Sequence, residues 1–140
     1  MGFFKNLKNS ITGGAASVHV NVPTARRGQA VPVQITATAK ADGKVAAVYL
    51  LVRGMESAEW KDSGQRVANS RTSYETRIQI AGPLDIKEGQ TYNFEGQLEL
   101  PINSSPTFRG QLINHLWEVQ AGLDMPGNDP DSGWQNVEVQ

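Results

Sequence analysis

The sequence predicts an all-β antiparallel sandwich with one short amphipathic helix at its N-terminus. Three observations support this fold class. Apolar and polar residues alternate with period two from Val18 onward, turn residues separate the alternating runs, and helical spacing is confined to residues 3–11. We therefore divide the 140 residues into an N-terminal helix with a Gly-rich connection, residues 1–14, and a sandwich, residues 15–140.

The N-terminal helix is predicted from Phe3, Phe4, Leu7 and Ile11, which share one face, and it ends at a Gly-Gly pair at 13–14. A helix this short is marginal in water, so we expect it to pack against something. One interpretation is that it covers an open face or edge of the sandwich. The other is that it contacts a membrane surface or a partner protein, which makes Phe3, Phe4 and Leu7 candidate partner-binding residues.

The first strands follow from alternating runs at 18–22 and 31–39. Asp42-Gly43 predicts a hairpin between the second run and the next. That next run, 45–52, is apolar at both parities, which is typical of a central strand covered on both faces.

The following stretch, 54–72, is polar and lacks a clear period, so it is interpreted as a long connection or an irregular hairpin tip. Alternation resumes in three further runs, 74–80, 92–100 and one from about Phe108 to residue 123, and a short strand, 137–139, closes the chain. In the run that begins near Phe108, Ile113, Trp117 and Val119 share a face, which places Trp117 in the core.

Charge and composition exclude several classes of protein. The net charge is -1, from 13 basic and 14 acidic residues, which argues against nucleic-acid binding. No apolar run approaches the roughly 20 residues of a membrane span, and residues 1–12 lack the apolar core of a secretory signal. The chain has no cysteine, which fits a reducing compartment. We expect a cytoplasmic protein without stable membrane insertion.

No catalytic motif occurs in the chain, so we expect neither an enzyme nor a bound cofactor. The two histidines are interpreted structurally. His19 lies at the polar parity of its strand and should be solvated, whereas His115 shares the parity of Trp117 and should lie at the edge of the core.

An alternative function is a ligand-binding module for calcium or carbohydrate, built on the 124–134 loop. Asp124, Asn128, Asp129 and Asp131 place several oxygen donors in eight residues, and calcium takes about six to eight. The spacing does not match the EF-hand pattern. The same residue types are common in turns, because their side chains bond to nearby backbone groups, so an ordinary turn is the preferred interpretation. The carbohydrate version depends on the exposure of Trp60 and Trp134.

The chain also resembles the bacterial sporulation-control proteins, which belong to the arrestin-like superfamily. The matching pieces occur in family order along nearly the whole chain, and the tryptophan strand that runs into Gly-Leu-Asp is the most specific of them. They are Gly2-Phe3-Phe4-Lys5, Gly13-Gly14-Ala15-Ala16, Arg27-Gly28-Gln29-Ala30-Val31, Tyr49-Leu50, Tyr92-Asn93-Phe94, Leu98 to Leu100-Pro101, Pro106-Thr107, Trp117, Gly122-Leu123-Asp124-Met125-Pro126-Gly127 and Val137-Glu138-Val139.

This resemblance implies an immunoglobulin-like, arrestin-like sandwich that works as a regulatory adaptor or scaffold in bacteria and binds a protein partner. Trp60 and Arg66, in the polar stretch 54–72, and the loop 101–109 are the expected contact elements, since sandwich domains bind through their loops. Family members carry two sandwiches, whereas this chain has one. The chain is then a one-domain member, a fragment, or half of a homo-oligomer that supplies the second sandwich.

Overall fold

The computed structural model describes residues 14–140, and every regular element in that range is a β-strand. The strands pair antiparallel within three sheets, which confirms the all-β prediction. Their bounds are β1 Ala16–Asn21, β2 Ala30–Ala39, β3 Gly43–Val45, β4 Ala47–Asp62, β5 Gln65–Ala81, β6 Leu84–Ile86, β7 Thr91–Glu99, β8 Phe108–Arg109, β9 Ile113–Asp124 and β10 Gln135–Val137.

The first layer is a three-stranded sheet in the order β1-β2-β7. Its period-two pattern is reproduced in the structure, because Val33, Ile35 and Ala37 are buried while Gln34 and Thr38 are exposed. The central strand β2 pairs with β1 on one side and with β7 on the other.

The second layer has the order β10-β9-β4-β5, with the short β8 also pairing with β9. In β4, Val48 and Leu50 are buried toward the first layer, and Tyr49 is buried on the opposite side. The loop 125–133 covers that opposite side, where the Tyr49 hydroxyl donates a hydrogen bond to Asp129 at 2.7 Å. The prediction of a central strand covered on both faces is therefore confirmed.

The core lies between the two layers and includes Trp117, which is 1% exposed as predicted. Its indole N–H donates to the carbonyl of Ser105 at 2.8 Å, so the polar atom of this buried ring is satisfied. The ring of Tyr74 lies 5.5 Å from it in a tilted arrangement. Burying an apolar side chain of this kind contributes about 1.5–3 kcal/mol.

The hairpin predicted at Asp42-Gly43 is wrong. The strand β2 before it pairs only with β1 and β7, and β4 after it belongs to the other layer. The chain crosses between layers here, and Gly43–Val45 pairs with Leu84–Ile86 instead. The Asp42 carboxylate accepts a hydrogen bond from the backbone N–H of Glu88 at 2.9 Å, so the aspartate closes a contact between loops rather than a two-strand turn.

The stretch 54–72 is a hairpin rather than a connection, which agrees with the second of the two interpretations, although its pairing beyond Gly54 is regular. It forms the far halves of β4 and β5, which pair residue by residue down to Asp62 and Gln65. Ser63 and Gly64 make the turn, with φ of 51° and 82°, as a two-residue hairpin loop of the primed type requires. Alternation is missing from this sequence because solvent reaches both faces of the ribbon, so no face demands apolar residues throughout.

The strand predicted from about Phe108 is two strands rather than one. Phe108–Arg109 folds back and pairs with His115 and Asn114 of β9. The backbone N–H of Gly110 donates to the carbonyl of Ile113 at 2.9 Å and closes the turn between them.

The predicted N-terminal helix, with Phe3, Phe4 and Leu7, lies outside the described residues. Within residues 14–140 there is no helix of the length and apolarity that a membrane crossing needs.

Candidate functional site

One half of the second layer extends beyond the first layer, and we call this part the arm. It consists of residues 55–73, which are the far halves of β4 and β5, together with residues 112–115 at the start of β9. It contains both Trp60 and Arg66, the partner-binding residues predicted within the described part of the chain.

The core-side face of the arm continues the core face of the sandwich. Register shows this directly, because Trp117 lies opposite Gly54, His115 opposite Glu56, and Ile113 opposite Ala58. Side chains alternate along a strand, so Ile113 points to the same side as Trp117. Ile113 is nevertheless 59% exposed, because the first layer does not reach it.

Four apolar side chains on this face are left uncovered by the rest of residues 14–140, and we call them the arm stripe. Its members lie in two neighbouring cross-strand rows, one joining Ile113 to Ala58 and the next joining Trp60 to Val67. Trp60 is 40% exposed, and Ala58 and Val67 are half-buried. A groove of about 430 Å³ lies at the Ile113–Ala58 end of the stripe and is bordered by Glu56, Ala58, Asn69, Arg71 and Ile113.

Charged pairs hold the two strands of the arm together. Arg71 pairs with Glu56 on the core-side face, and Arg66 pairs with Glu59 on the other face. Both arginines are largely exposed, so each pair contributes little to stability on its own. Their effect is to place cationic groups along the free margin of the arm.

The junction between arm and core is built on Ser73 and His115. The Ser73 hydroxyl lies 2.6 Å from His115 Nε2, and Nδ1 of the same ring lies 3.1 Å from the carbonyl of Pro106. A carbonyl only accepts, so Nδ1 is the donor to Pro106, and the Ser73 hydroxyl lies within hydrogen-bond distance of Nε2. His115 is buried as predicted, and His19 is exposed as predicted.

The backbone makes room for this junction in two ways. The register shifts between Gly54 and Met55, so Ser73 is the extra residue of a bulge in β5. A Cβ at position 54 would stand 2.8 Å from the Ser73 hydroxyl and 3.2 Å from the His115 ring, so glycine is needed here for space. The Ser73–His115 contact links three segments at the base of the arm, namely β5, β9 and the loop that contains Pro106.

Two aspartates of the loop 124–134, Asp129 and Asp131, accept hydrogen bonds from neighbouring groups of this chain. Asp129 accepts hydrogen bonds from the Tyr49 hydroxyl and the Met125 backbone N–H, and Asp131 accepts one from the Gly133 N–H at 2.8 Å. Burial, followed by the hydrogen bond to Asp129, raises the pKa of Tyr49. Across residues 14–140, His, Asp and Glu side chains nowhere gather in threes around a position fit for a metal ion.

The two tryptophans considered for carbohydrate have different surroundings. Trp60 belongs to a paired strand rather than to a loop, which corrects the predicted setting. Trp134 is 36% exposed, but the guanidinium of Arg53 stacks over its ring at 3.8 Å and also pairs with Glu118. The Arg53 guanidinium therefore already occupies one face of the Trp134 ring.

Of the predicted site residues, the structure brings Trp60 and Arg66 together at the tip of the arm and places Asp124, Asn128, Asp129 and Asp131 at the opposite end of the same sheet. The arm stripe and the Ser73–His115 contact were not predicted. A signal for the stripe was present, since Ala58 and Trp60 alternate and Ser63-Gly64 marks a turn before Val67. Nothing in the sequence signals the bulge.

The two antiparallel layers make the protein an antiparallel β-sandwich, which confirms the predicted fold class. Among solved structures, the chain is similar to the crystal structure of Spo0M, a sporulation control protein from Bacillus subtilis, with a TM-score of 0.65 over 91% of this chain at 18% identity. The chain spans 50% of the length of that structure. Neither a family model nor a curated protein matches the sequence.

Proposed function

We propose that this chain is a non-catalytic regulatory adaptor that binds a protein partner through the core-side face of the arm. The observation that carries the proposal is the arm stripe: the strands of the core run on past their covering layer and keep apolar side chains on the uncovered face. Aromatic and aliphatic side chains that solvent reaches at neighbouring positions are typical of interaction sites.

The shape of the arm also suits a protein partner. The Arg71–Glu56 pair lies beside the stripe on the same face, which places a charged margin next to the apolar side chains. The groove beside it is open and shallow, as a protein surface or segment would require, rather than an enclosed pocket for a small molecule.

A regulatory role is supported by fold likeness. The similar structure is named a sporulation control protein, and the sequence resemblance to the sporulation-control proteins implies the same kind of role. A cytoplasmic location in bacteria belongs to the same proposal: the resemblance implies a bacterial protein, and a sequence without cysteine is compatible with a reducing compartment.

Capture of partners from an extract of the cells that naturally make the protein tests the proposal. Quantitative mass spectrometry would compare the wild-type chain with the Ile113→Ser variant. We expect at least one partner whose capture falls about tenfold, since truncating a central apolar contact costs more than about 1 kcal/mol of binding free energy.

Trp134→Ser is the control, because Trp134 is another partly exposed apolar residue, 36%. Its ring lies against Arg53, on the face of the sheet opposite the arm stripe. Equal losses with both variants would mean non-specific adhesion, and no loss with Ile113→Ser would remove the arm stripe as the contact.

A further inference from the structure

The arm ends in an open strand edge. β5 is the last strand of its sheet, and its partner along the whole length from Gln65 to Ala81 is β4. No backbone group elsewhere in residues 14–140 bonds to the outer margin of residues 65–73. Because alternate N–H and C=O groups of an edge strand face outward, this segment offers a ladder roughly 30 Å long.

The two halves of β5 differ in how far their outer edge is protected from pairing with another strand. In the half near the core, Ile80 packs against Gly96 of β7, where a Cβ would lie 2.5 Å from the isoleucine side chain. In the arm half, residues 65–73 contain neither proline nor lysine, and the bulge comes only at Ser73. Proline, lysine and bulges are features that ordinarily prevent a free strand edge from pairing with another chain.

The open half also carries a net positive charge. It contains Arg66 and Arg71 and no acidic residue. Their glutamates, Glu59 and Glu56, lie one strand inward on β4 and meet the arginines at Nε. An arginine has five N–H donors, so each can also bind a carboxylate on an added strand.

The side chains on the core-side face set a spacing for any added strand. Arg71, Asn69 and Val67 occupy successive positions on this face, in the rows of Glu56, Ala58 and Trp60 respectively. A neighbouring strand would place one side chain beside each of them, because cross-strand neighbours lie about 5 Å apart. An acidic residue suits the place beside Arg71, and an apolar residue suits the place beside Val67.

We propose that residues 65–73 accept an extended segment of the partner protein as an added antiparallel strand. The segment carries an acidic residue beside Arg71 and, four positions later on the same face, an apolar residue beside Val67. Strand addition of this kind gains affinity from the backbone ladder and specificity from alternate side chains. The inference rests on the proposed function in that the partner is a protein.

A second copy of the chain does not fit the edge as well. If two copies of residues 65–73 paired about a two-fold axis centred on Asn69, Arg71 of each copy would lie opposite Val67 of the other. Other centres within the segment also place no acidic residue of the second copy beside either arginine, since the segment contains none. An acidic residue of another protein supplies a second carboxylate for Arg71, in addition to Glu56.

A random library of nine-residue peptides displayed on phage, selected on the full chain, tests the inference. We expect enrichment of sequences that alternate in polarity and carry an acidic and an apolar residue four positions apart. The enriched peptide, made synthetically, should slow amide hydrogen exchange in residues 65–73.

Two charge-swapped variants sharpen the test. The double change Glu56→Arg with Arg71→Glu keeps an ion pair inside the arm but reverses the charge at the edge, so we expect about tenfold weaker binding of the enriched peptide. The matched control, Arg109→Glu with Glu138→Arg, reverses an exposed ion pair away from the edge of β5 and should leave binding unchanged.

Three outcomes would overturn the inference. Peptides with apolar residues at helical spacing that need Ile113 but leave exchange in 65–73 unchanged would exclude strand addition and support the proposed function. A wild-type dimer already protected at 65–73 would assign the edge to a second copy. If no peptide is enriched above an empty surface, the edge has no peptide ligand. Failure of the proposed function would be seen separately, as unchanged capture of partners by the Ile113→Ser variant.

Discussion

The strands β9, β4 and β5 pass through two environments within a few residues. Near the core, Trp117 and Val52 are 1% exposed because the layer β1-β2-β7 lies over them. In the arm, Ile113 and Trp60 point to the same side of the same strands and are 59% and 40% exposed. Side chains alternate between the two faces of the strands in the same way in both regions, so the extent of the covering layer separates the buried residues from the exposed ones.

The two regions also differ in what holds their strands together. Near the core, apolar burial stabilises the sheet, whereas the arm relies on its backbone ladder, to which exposed ion pairs such as Arg71 with Glu56 add little. We infer that stability resides in the first region and recognition in the second. Changes along one strand should therefore have very different effects.

The largest loss is expected for Trp117→Ala. The ring is buried and its indole N–H is bonded to Ser105, so truncation leaves a cavity and an unpaired carbonyl. The free energy of unfolding should fall by about 3–5 kcal/mol in chemical denaturation. A loss below about 1 kcal/mol would mean that the region near the core is not where stability resides.

An intermediate loss is expected for Gly54→Ala at the junction. The added methyl group would press on Ser73 and His115, and overpacking of this kind costs about 1–3 kcal/mol. A double-mutant cycle with Ser73→Ala measures whether the two changes act on one contact. Strict additivity of the two losses would show that position 54 does not serve the Ser73–His115 contact.

A smaller loss is expected for Tyr49→Phe, which removes the hydrogen bond to Asp129 and should cost about 1–2 kcal/mol at neutral pH. The pKa of Tyr49 is raised in the folded chain by burial and by Asp129. Its contribution is thus complete below the unfolded pKa of about 10 and is lost as pH rises toward the folded value. Denaturation from pH 8 to 11 should show the wild-type chain losing stability faster than the variant above about pH 10, and parallel curves would contradict this.

The smallest effect on stability is expected for Ile113→Ala. This residue shares a strand and a face with Trp117 but is mostly exposed, so the free energy of unfolding should change by no more than about 0.5 kcal/mol. Chemical denaturation beside Trp117→Ala gives the comparison directly. A loss similar to that of Trp117→Ala would mean that the arm is part of the core.

The same contrast between the core and the arm explains which strands the sequence could predict. The strands near the core have one solvated and one buried face, so period two located them, and Trp117 and His115 were placed correctly. The arm has solvent on both faces, which removes the pattern and made 54–72 look like a connection. The crossing at Asp42-Gly43 depends on which layer each strand joins, and local turn chemistry carries no information about that.

Contacts at the candidate site were harder to predict than strands. Ser73 meets His115 only because a bulge and a glycine on the neighbouring strand allow it, and the two residues are far apart in the sequence. Asp129, considered for calcium, lies against Tyr49 because the loop folds back over β4. The calcium set remains a prediction, and thermal unfolding with calcium and with a chelator tests it.

Amide hydrogen exchange of the full chain, with and without the partner captured by the wild-type protein, tests the central claim most directly. We predict slower exchange on binding in residues 55–73 and 112–115, with no change in the 125–133 loop at the other end of the sheet. Slower exchange confined to the 125–133 loop, with the arm unchanged, would contradict the assignment of recognition to the arm.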